Sequence, residues 1–92
     1  MIVSFKDKDT EKLASGERVK QLQSIEDIAR RKLRQLEIAN VLEDLRIPPG
    51  NRLEALKGNR TGQHSIRIND KYRVCFTWTN AGAESVEIVD YH

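Results

Sequence analysis

The chain has 92 residues, of which 33% are charged, and a formal net charge of only +2, so it is expected to form one small domain. Its single cysteine excludes an internal disulfide, as is usual in a reducing compartment. The chain becomes charged near its start and has no long apolar run, so we expect neither a signal peptide nor a membrane span. Between positions 46 and 73, however, seven basic residues accompany only two acids. This local charge suits a phosphate-bearing partner, although a solvated surface would also explain it.

The first half of the chain carries helical signals. The opening MIVSFK is typical of a short strand, and DTEKLAS predicts one or two helical turns, capped by Asp9 or Thr10 and stopped by Gly16. A longer helix is predicted after Ser24, with Asp27 completing a capping box. Its apolar stripe at helical spacing comprises Ile25, Ile28, Ala29, Leu33, Leu36 and Ala39. The following VLEDLRI extends this helix or adds a short turn.

After Pro48-Pro49-Gly50, which is expected to end all helical structure, the sequence becomes strand-like. The four strand candidates are RLEALK, HSIRI, YRVCFTW and ESVEIVDY. They are separated by Gly58, Gly62, Asn69-Asp70 and Asn80-Ala81-Gly82. Helices followed by hairpin-linked strands predict an α+β fold, in which an N-terminal strand and two helices pack on one face of a small antiparallel sheet.

The loop at positions 69–71 determines which side chains share a face of the sheet. A three-residue loop pairs Arg67 with Arg73 and Ile66 with Val74. This register turns the apolar residues of both strands toward the helices, whereas a two-residue loop would mix core and surface. It also places two arginines directly opposite each other on the other face. Like charges in that position destabilise a sheet, so we expect an anion to bind between them.

The next hairpin is expected to bring the C-terminal DYH beside the arginine pair. A five-residue loop keeps the apolar residues of both strands on the helix-facing side and puts Val89 or Tyr91 across from Arg73. The alternative explanation for the arginines is that they only form salt bridges, with Glu87 or Asp90 as the partners.

The terminal Asp90-Tyr91-His92 combines groups that RNA cleavage requires. An imidazole and a carboxylate can transfer protons near neutral pH, and a tyrosine can stack on a base. Nearby arginines and a lysine can stabilise a phosphate that gains charge, so neither a metal ion nor another cofactor is needed. The alternative is a frayed tail without function, which is common at chain ends.

These segments together resemble one toxin family. The runs MIVSF, PPGNRLEALKG, LKGNRTGQHSIRINDKYRVCF and EIVDYH are similar to the HigB branch of the RelE/ParE toxin superfamily, over essentially the whole chain. The resemblance implies a RelE-like fold and a type II toxin that cleaves mRNA in the decoding site of the ribosome, beside 16S rRNA. It also implies a cytoplasmic protein that is neutralised by a helix-turn-helix antitoxin of the HigA type. The toxin–antitoxin complex would bind operator DNA and repress its own promoter.

The resemblance also assigns residues by position. The catalytic positions of the family are matched by Lys57, Arg73, Asp90, Tyr91 and His92. The accompanying RNA-binding surface is matched by Arg60 and Arg67, to which we add His64. Glu54 stands where some relatives carry a catalytic histidine, which leaves open which residue is the base and which the acid. Strand alternation puts His64 on the side of Ile66, so a histidine at the edge of the core is the competing interpretation.

Functions of different classes are compatible with these features. The first is a ribosome-dependent endoribonuclease, and the second is a non-enzymatic inhibitor of DNA gyrase, as in the ParE branch. A third is an RNA-binding module without chemistry. The terminal DYH together with Lys57 favours the nuclease, because a protein that only binds gyrase does not need those groups.

Overall fold

The computed structural model describes residues 1–90, which form a four-stranded antiparallel sheet with two α-helices packed on one face. The helices are α1 (Lys8–Ala14) and α2 (Glu26–Ile38). The strands, in their spatial order, are β1 (Glu54–Ala55), β2 (His64–Arg67), β3 (Tyr72–Thr79) and β4 (Gly82–Asp90). The predicted α+β fold is confirmed. Within residues 1–90 no helix is both long and apolar enough to cross a membrane.

The core lies between the helices and the sheet face that they cover, here called the inner face. The helices contribute Leu13, Ala29, Leu33 and Leu36. The sheet contributes Ile66, Val74, Phe76 and Val86, with Trp78 partly buried beside them, and Ile68 joins them directly after the end of β2. Each fully buried aliphatic or aromatic side chain of this kind stabilises the fold by about 1.5–3 kcal/mol. The predicted inner-face residues of β2 and β3 are therefore confirmed.

The cap of α1 lies earlier than predicted. Asp7, and not Asp9 or Thr10, is the N-cap: its carboxylate accepts hydrogen bonds from the Thr10 N–H at 3.1 Å and from Thr10 Oγ1 at 2.7 Å. Thr10 lies within the first turn of α1 and its own hydroxyl donates to Asp7, so it is not the residue that caps the helix. Gly16, with φ of 96°, follows the end of the helix as predicted.

The capping box predicted at the start of α2 is not formed. Lys20–Ile25 is a 3₁₀ helix that runs directly into α2, and the Glu26 N–H donates to the Gln23 carbonyl. This turn takes the place of a side-chain cap at the start of α2. The predicted apolar stripe is buried with the exception of Ile28, which lies at the edge of the stripe and is 38% exposed.

Helical structure does not stop at the prolines, so that prediction is wrong. Short 3₁₀ helices are formed by Leu42–Arg46, Pro49–Asn51 and Gly58–Arg60. Pro49 is tolerated because a proline in the first helical position has no N–H that the helix would need to bond. No α-helix follows Pro49 in the described part of the chain.

The N-terminal segment makes two isolated parallel bridges to β4 in place of the predicted strand. Between these bridges the Ser85 N–H donates to Ser4 Oγ at 2.9 Å. Because this N–H bonds to a side chain and not to a backbone carbonyl, the ladder is interrupted. The segment still covers the first part of the β4 edge, which an open sheet would otherwise expose.

The register between β2 and β3 is the predicted one, with Arg67 opposite Arg73 and Ile66 opposite Val74. The hairpin between β3 and β4 is different from the prediction. Thr79 pairs with Gly82, so the turn has two residues and not five.

A register shift in the middle of this hairpin restores the predicted alternation. The shift lies between Cys75 and Thr77. Ser85, which faces this point on β4, adopts a left-handed backbone with φ of 53°. Beyond the shift Val89 lies opposite Arg73, which is one of the two predicted pairings.

Candidate functional site

The two arginines lie on the outer face of the sheet, which is the face turned away from the helices. The Arg73 side chain is only 15% exposed, and its Nη1 lies 3.4 Å from Oε1 of Glu54. The same Nη1 donates to Ser65 Oγ at 2.7 Å and to the Arg52 carbonyl at 3.5 Å. Arg67 is its cross-strand partner. These contacts fix the guanidinium of Arg73 in place before any ligand binds.

Carboxylates stand beside both arginines. Glu54 is paired with Arg73, and Asp70 is paired with Arg67. The Asp70 side chain is fully exposed, so this pair contributes little and can exchange its partner. Glu87, one of the two acids predicted to pair with the arginines, bonds elsewhere. The repulsion between the arginines is thus reduced by acids within the chain, and an incoming anion would compete with those acids.

Glu87 belongs to a second charged cluster on the same face. Arg60 Nη1 donates at 3.1 Å to Glu87 Oε2 and at 3.1 Å to Gln63 Oε1, while Lys6 Nζ lies 3.3 Å from the same Glu87 oxygen. The cross-strand partner of Glu87 is Cys75, which is completely buried. Burial raises the pKa of the Cys75 thiol, and nearby Arg60 acts in the opposite direction. Arg60 therefore lies on the outer face, which is also the face of the arginine pair.

The remaining predicted catalytic residues are spread over two parts of the chain. Lys57 is exposed in the turn between β1 and the 3₁₀ helix Gly58–Arg60. Tyr91 and His92 lie outside the described residues. The structure thus brings Lys57 to an accessible position after the strand that carries Glu54.

Asp90 is the last described residue and ends β4. It pairs with Tyr72 across the sheet, and its carboxylate lies 3.8 Å from Lys71 Nζ. Cross-strand partners share a face, so the Asp90 side chain is on the face of Tyr72 and not on that of Arg73. Its backbone, however, is next to the Arg73–Val89 pair.

His64 lies on the inner side of β2, as strand alternation predicted. It is the cross-strand partner of Phe76, and the two rings are stacked with centroids 6.4 Å apart. Its Nδ1 is buried and makes no hydrogen bond within residues 1–90. The structure therefore places His64 at the edge of the core and does not bring it to the arginine pair.

A lysine that sequence reasoning missed is held by a buried amide. Lys32 of α2 donates from Nζ to Oδ1 of the fully buried Asn51 at 2.6 Å. Burial lowers the pKa of Lys32, and the positive charges of Arg31 and Arg67 lower it further. No sequence signal marked this lysine, because one lysine on the polar side of an amphipathic helix is ordinary.

Comparisons with known proteins agree with the sequence resemblance. A family model described as "RelE-like toxin of type II toxin-antitoxin system HigB" matches residues 3–92. Toxin HigB-1 of Vibrio cholerae serotype O1 is 45% identical over 85 residues, which cover 90% of this chain and 90% of that protein.

The fold is similar to that of two solved structures from Staphylococcus aureus. The YoeB–YefM complex matches with a TM-score of 0.59 and 23% identity, over 100% of this chain and 95% of the other. The YoeB dimer matches with a TM-score of 0.57 and 23% identity, over 99% and 94% of the two chains. At this identity the likeness supports the fold alone.

Proposed function

The chain belongs to the HigB-like family, the RelE-like toxins of type II toxin–antitoxin systems, and from this premise we propose that it is an endoribonuclease that cleaves mRNA on the ribosome. Endoribonuclease activity is typical of the family. The observation that carries the proposal is the Arg67–Arg73 pair, held opposite each other on the outer face with Asp90 at the end of the neighbouring strand. Two guanidinium groups on one face are suited to a phosphate, which would compete with the Glu54 and Asp70 carboxylates that now lie beside them.

Arg73 is proposed to stabilise the scissile phosphate as it gains charge. Its guanidinium is held by Ser65 and by the Arg52 carbonyl, so it does not need to reorganise during the reaction. Lys57, which is exposed and follows shortly after Glu54 in the sequence, would add a second positive charge. With these cations supplied by side chains, the proposed attack of the 2′-OH on the phosphate uses no metal ion.

Proton transfer is assigned to the C-terminal residues. Asp90 and His92 are proposed to act as base and acid, with the division between them left open, and Tyr91 to position the RNA. For Tyr91 and His92 the support is the family resemblance and their covalent connection to β4, because they lie outside the described residues. Arg60 and Arg67 are proposed to bind the RNA backbone. The position of His64 beside Phe76 favours a packing role over RNA contact.

The proposed partners are the ribosome with its mRNA, near 16S rRNA, and an antitoxin. A type II toxin acts together with an antitoxin, and one of the structural neighbours is a YoeB–YefM complex. We propose a helix-turn-helix antitoxin of the HigA type, and autorepression through operator DNA bound by the complex. The site of action would be the cytoplasm, where ribosomes are found. Inhibition of gyrase is not favoured, since the family match is to HigB-like toxins.

Mapping of mRNA 5′ ends by primer extension after induced expression tests this function. Wild type should produce new ends in phase with codons. Arg73→Ala and a deletion of positions 91 and 92 should abolish them, because charge stabilisation or about 10²- to 10⁴-fold of acid–base catalysis is lost. The exposed Arg18→Ala is the matched control and should cleave like wild type.

Melting curves on the same proteins separate loss of chemistry from loss of folding. Intact mRNA with wild-type protein would contradict the nuclease, and gyrase-linked DNA breaks in those cells would indicate the inhibitor. Full cleavage by a folded Arg73→Ala protein would contradict the role of Arg73.

A further inference from the structure

The edge of β4 that is turned away from β3 is supported by two different segments. The N-terminal segment makes backbone bonds to this edge up to the Lys6 N–H, which donates to the Val86 carbonyl at 2.9 Å. Two residues further along β4, the Ile88 N–H points to the same edge and donates to Thr10 Oγ1 of α1 at 3.1 Å. Support of the edge thus passes from the N-terminal backbone to one side chain of α1.

The hydroxyl of Thr10 is held in one orientation. Thr10 is completely buried, its hydroxyl donates to Asp7 Oδ1 at 2.7 Å, and its N–H donates to Asp7 Oδ2 at 3.1 Å. A threonine in a helix otherwise divides between two side-chain rotamers. Because both oxygens of one carboxylate bind Thr10, Asp7 determines where the hydroxyl oxygen presents its acceptor side to Ile88. A hydroxyl that donates to a carboxylate is also polarised into a stronger acceptor.

The bond at Ile88 lies next to the part of β4 that borders the candidate site. Val89 is opposite Arg73, and Asp90 follows it at the end of the strand. The Thr10 hydroxyl therefore holds the β4 backbone two residues before the side chain to which proton transfer is assigned. A misplacement of about 1 Å can cost about 10²-fold in rate, even when the change lies far from the chemistry.

We propose that Thr10, oriented by Asp7, is a positioning residue for the C-terminal end of β4 and thereby for Asp90. For its effect on cleavage this inference rests on the proposed function. Thr10 acts through the backbone of β4 and does not act on the substrate. The competing explanation is a bond that only stabilises the fold, and it predicts that a folded variant without the hydroxyl cleaves at the normal rate.

The test removes the Thr10 hydroxyl with little change in the size of the side chain. Thr10→Val is the nearly isosteric variant, and Thr10→Ser restores a hydroxyl. Thr79→Val is the matched control, because the Thr79 hydroxyl also accepts from a backbone N–H, that of Ala81 at 3.1 Å, but at the opposite end of the β3–β4 hairpin. All proteins are assayed well below their melting temperatures.

Single-turnover cleavage of mRNA on programmed ribosomes is the first readout. Thr10→Val should lower the maximal rate roughly ten- to hundredfold and leave KM within a few-fold of wild type, because binding is retained while a proton-transfer group is misplaced. Thr10→Ser should restore most of the rate, and Thr79→Val should cleave like wild type. A folded Thr10→Val protein with the wild-type rate would overturn the inference.

Amide hydrogen exchange followed by NMR is a second readout, which does not require cleavage. In Thr10→Val the N–H groups of Val89 and Asp90 should exchange roughly two- to tenfold faster, the range expected for the loss of one hydrogen bond. The Ala83 N–H, which is bonded to the Met1 carbonyl at the other end of β4, should exchange as in wild type. Equal acceleration at all three amides would show a general loss of stability and overturn the inference, as would unchanged exchange at residues 89 and 90.

A second variant covers the case in which Thr10→Val does not fold. Asp7→Ala keeps the Thr10 hydroxyl but removes the carboxylate that orients it, so both readouts should change in the same direction by a smaller factor. Wild-type protein that does not cleave mRNA would contradict the proposed function. The exchange of Val89 and Asp90 would then still decide whether Thr10 positions the end of β4.

Discussion

At the level of single residues, Glu54 and a substrate phosphate would compete for Arg73. The Glu54 side chain is 49% exposed and lies 3.4 Å from the guanidinium. A half-exposed ion pair of this kind contributes at most about 1 kcal/mol, because solvent screens it. An RNA phosphate that is held by several groups at once can therefore displace the carboxylate. Glu54 therefore offsets part of the charge of Arg73 in the free protein, and under the proposed function we expect it to weaken the binding of RNA.

We expect Glu54→Gln to lower the KM for cleavage of mRNA on programmed ribosomes by a few-fold and to leave kcat within a few-fold of wild type. About 1 kcal/mol of competition corresponds to roughly a fivefold change in affinity. The measurement is single-turnover cleavage over a range of ribosome concentrations. Glu43→Gln is the matched control, because Glu43 forms a similar exposed pair with Arg46 on another part of the surface.

A catalytic role of Glu54 would give a clearly different result. If Glu54 itself transfers a proton, as the histidine of some relatives does at this position, kcat would fall by about 10²- to 10⁴-fold and KM would not improve. Such a result would move Glu54 from a competitor for Arg73 to a catalytic residue.

Sequence reasoning found the arginine pair but not what surrounds it. Arg67 and Arg73 could be placed opposite each other because the alternation of apolar residues allows one register of the β2–β3 hairpin. The contact of Arg73 with Glu54 could not be predicted, because β1 has only two residues and shows no alternation. The bond from Lys32 to Asn51 joins residues 19 positions apart through irregular structure, where no periodicity applies.

At the level of elements, the loop predicted for the β3–β4 hairpin is wrong, whereas the predicted alternation of inner-face and outer-face residues along the strands is correct. The sequence predicts a five-residue loop with Val89 or Tyr91 opposite Arg73. The structure has a two-residue turn and a register shift at Ser85, and these two differences compensate. A bulge of this kind is hard to foresee here, because Ser85 adopts the left-handed backbone that glycine usually marks.

Gly82 marks a second constraint in the same hairpin. Its φ is 128°, and a Cβ built on it would lie 2.1 Å from the Met1 carbonyl oxygen. That oxygen also accepts a hydrogen bond from the Ala83 N–H at 2.8 Å, so the N-terminal segment cannot move away without losing a bridge to β4. The turn and the edge of the sheet thus depend on one glycine.

Gly82→Ala is expected to destabilise the protein by about 1–3 kcal/mol or more, through backbone strain and the lost bridge. Chemical unfolding measures this difference. Gly50→Ala is the matched control, because no atom lies within 4 Å of its Cβ and its backbone is not left-handed. Equal stability of Gly82→Ala and wild type would show that the N-terminal segment is not needed to support the hairpin.

At the level of the whole molecule, the sheet separates an apolar inner face from a charged outer face. The outer face nevertheless contains Ser65 and Cys75, both completely buried. Ser65 is bonded to Arg73, and charged neighbours of Cys75 include Arg60 and Glu87. The charged groups of the outer face therefore protect the middle of the sheet from water. Cys75 lies on a central strand, so we expect it to become accessible only when the protein unfolds as a whole.

Cys75 therefore makes global stability depend on pH in a defined direction. Burial raises its pKa in the folded state above the ordinary value of 9.0, so the unfolded thiol ionises first as pH increases. The contribution of the buried, neutral Cys75 thiol to the free energy of unfolding is complete below pH 9.0, and it is lost as pH rises toward the folded-state pKa. We expect the stability difference between wild type and Cys75→Ala to decrease above this pH by up to about 1.4 kcal/mol per unit.

Urea unfolding of both proteins at several pH values measures this stability difference. Because the two proteins share all other titrating groups, the effects of those groups cancel. A difference that stays constant from pH 7 to about 10.5 would mean that the thiol titrates alike in both states, contrary to its position in the middle of the sheet.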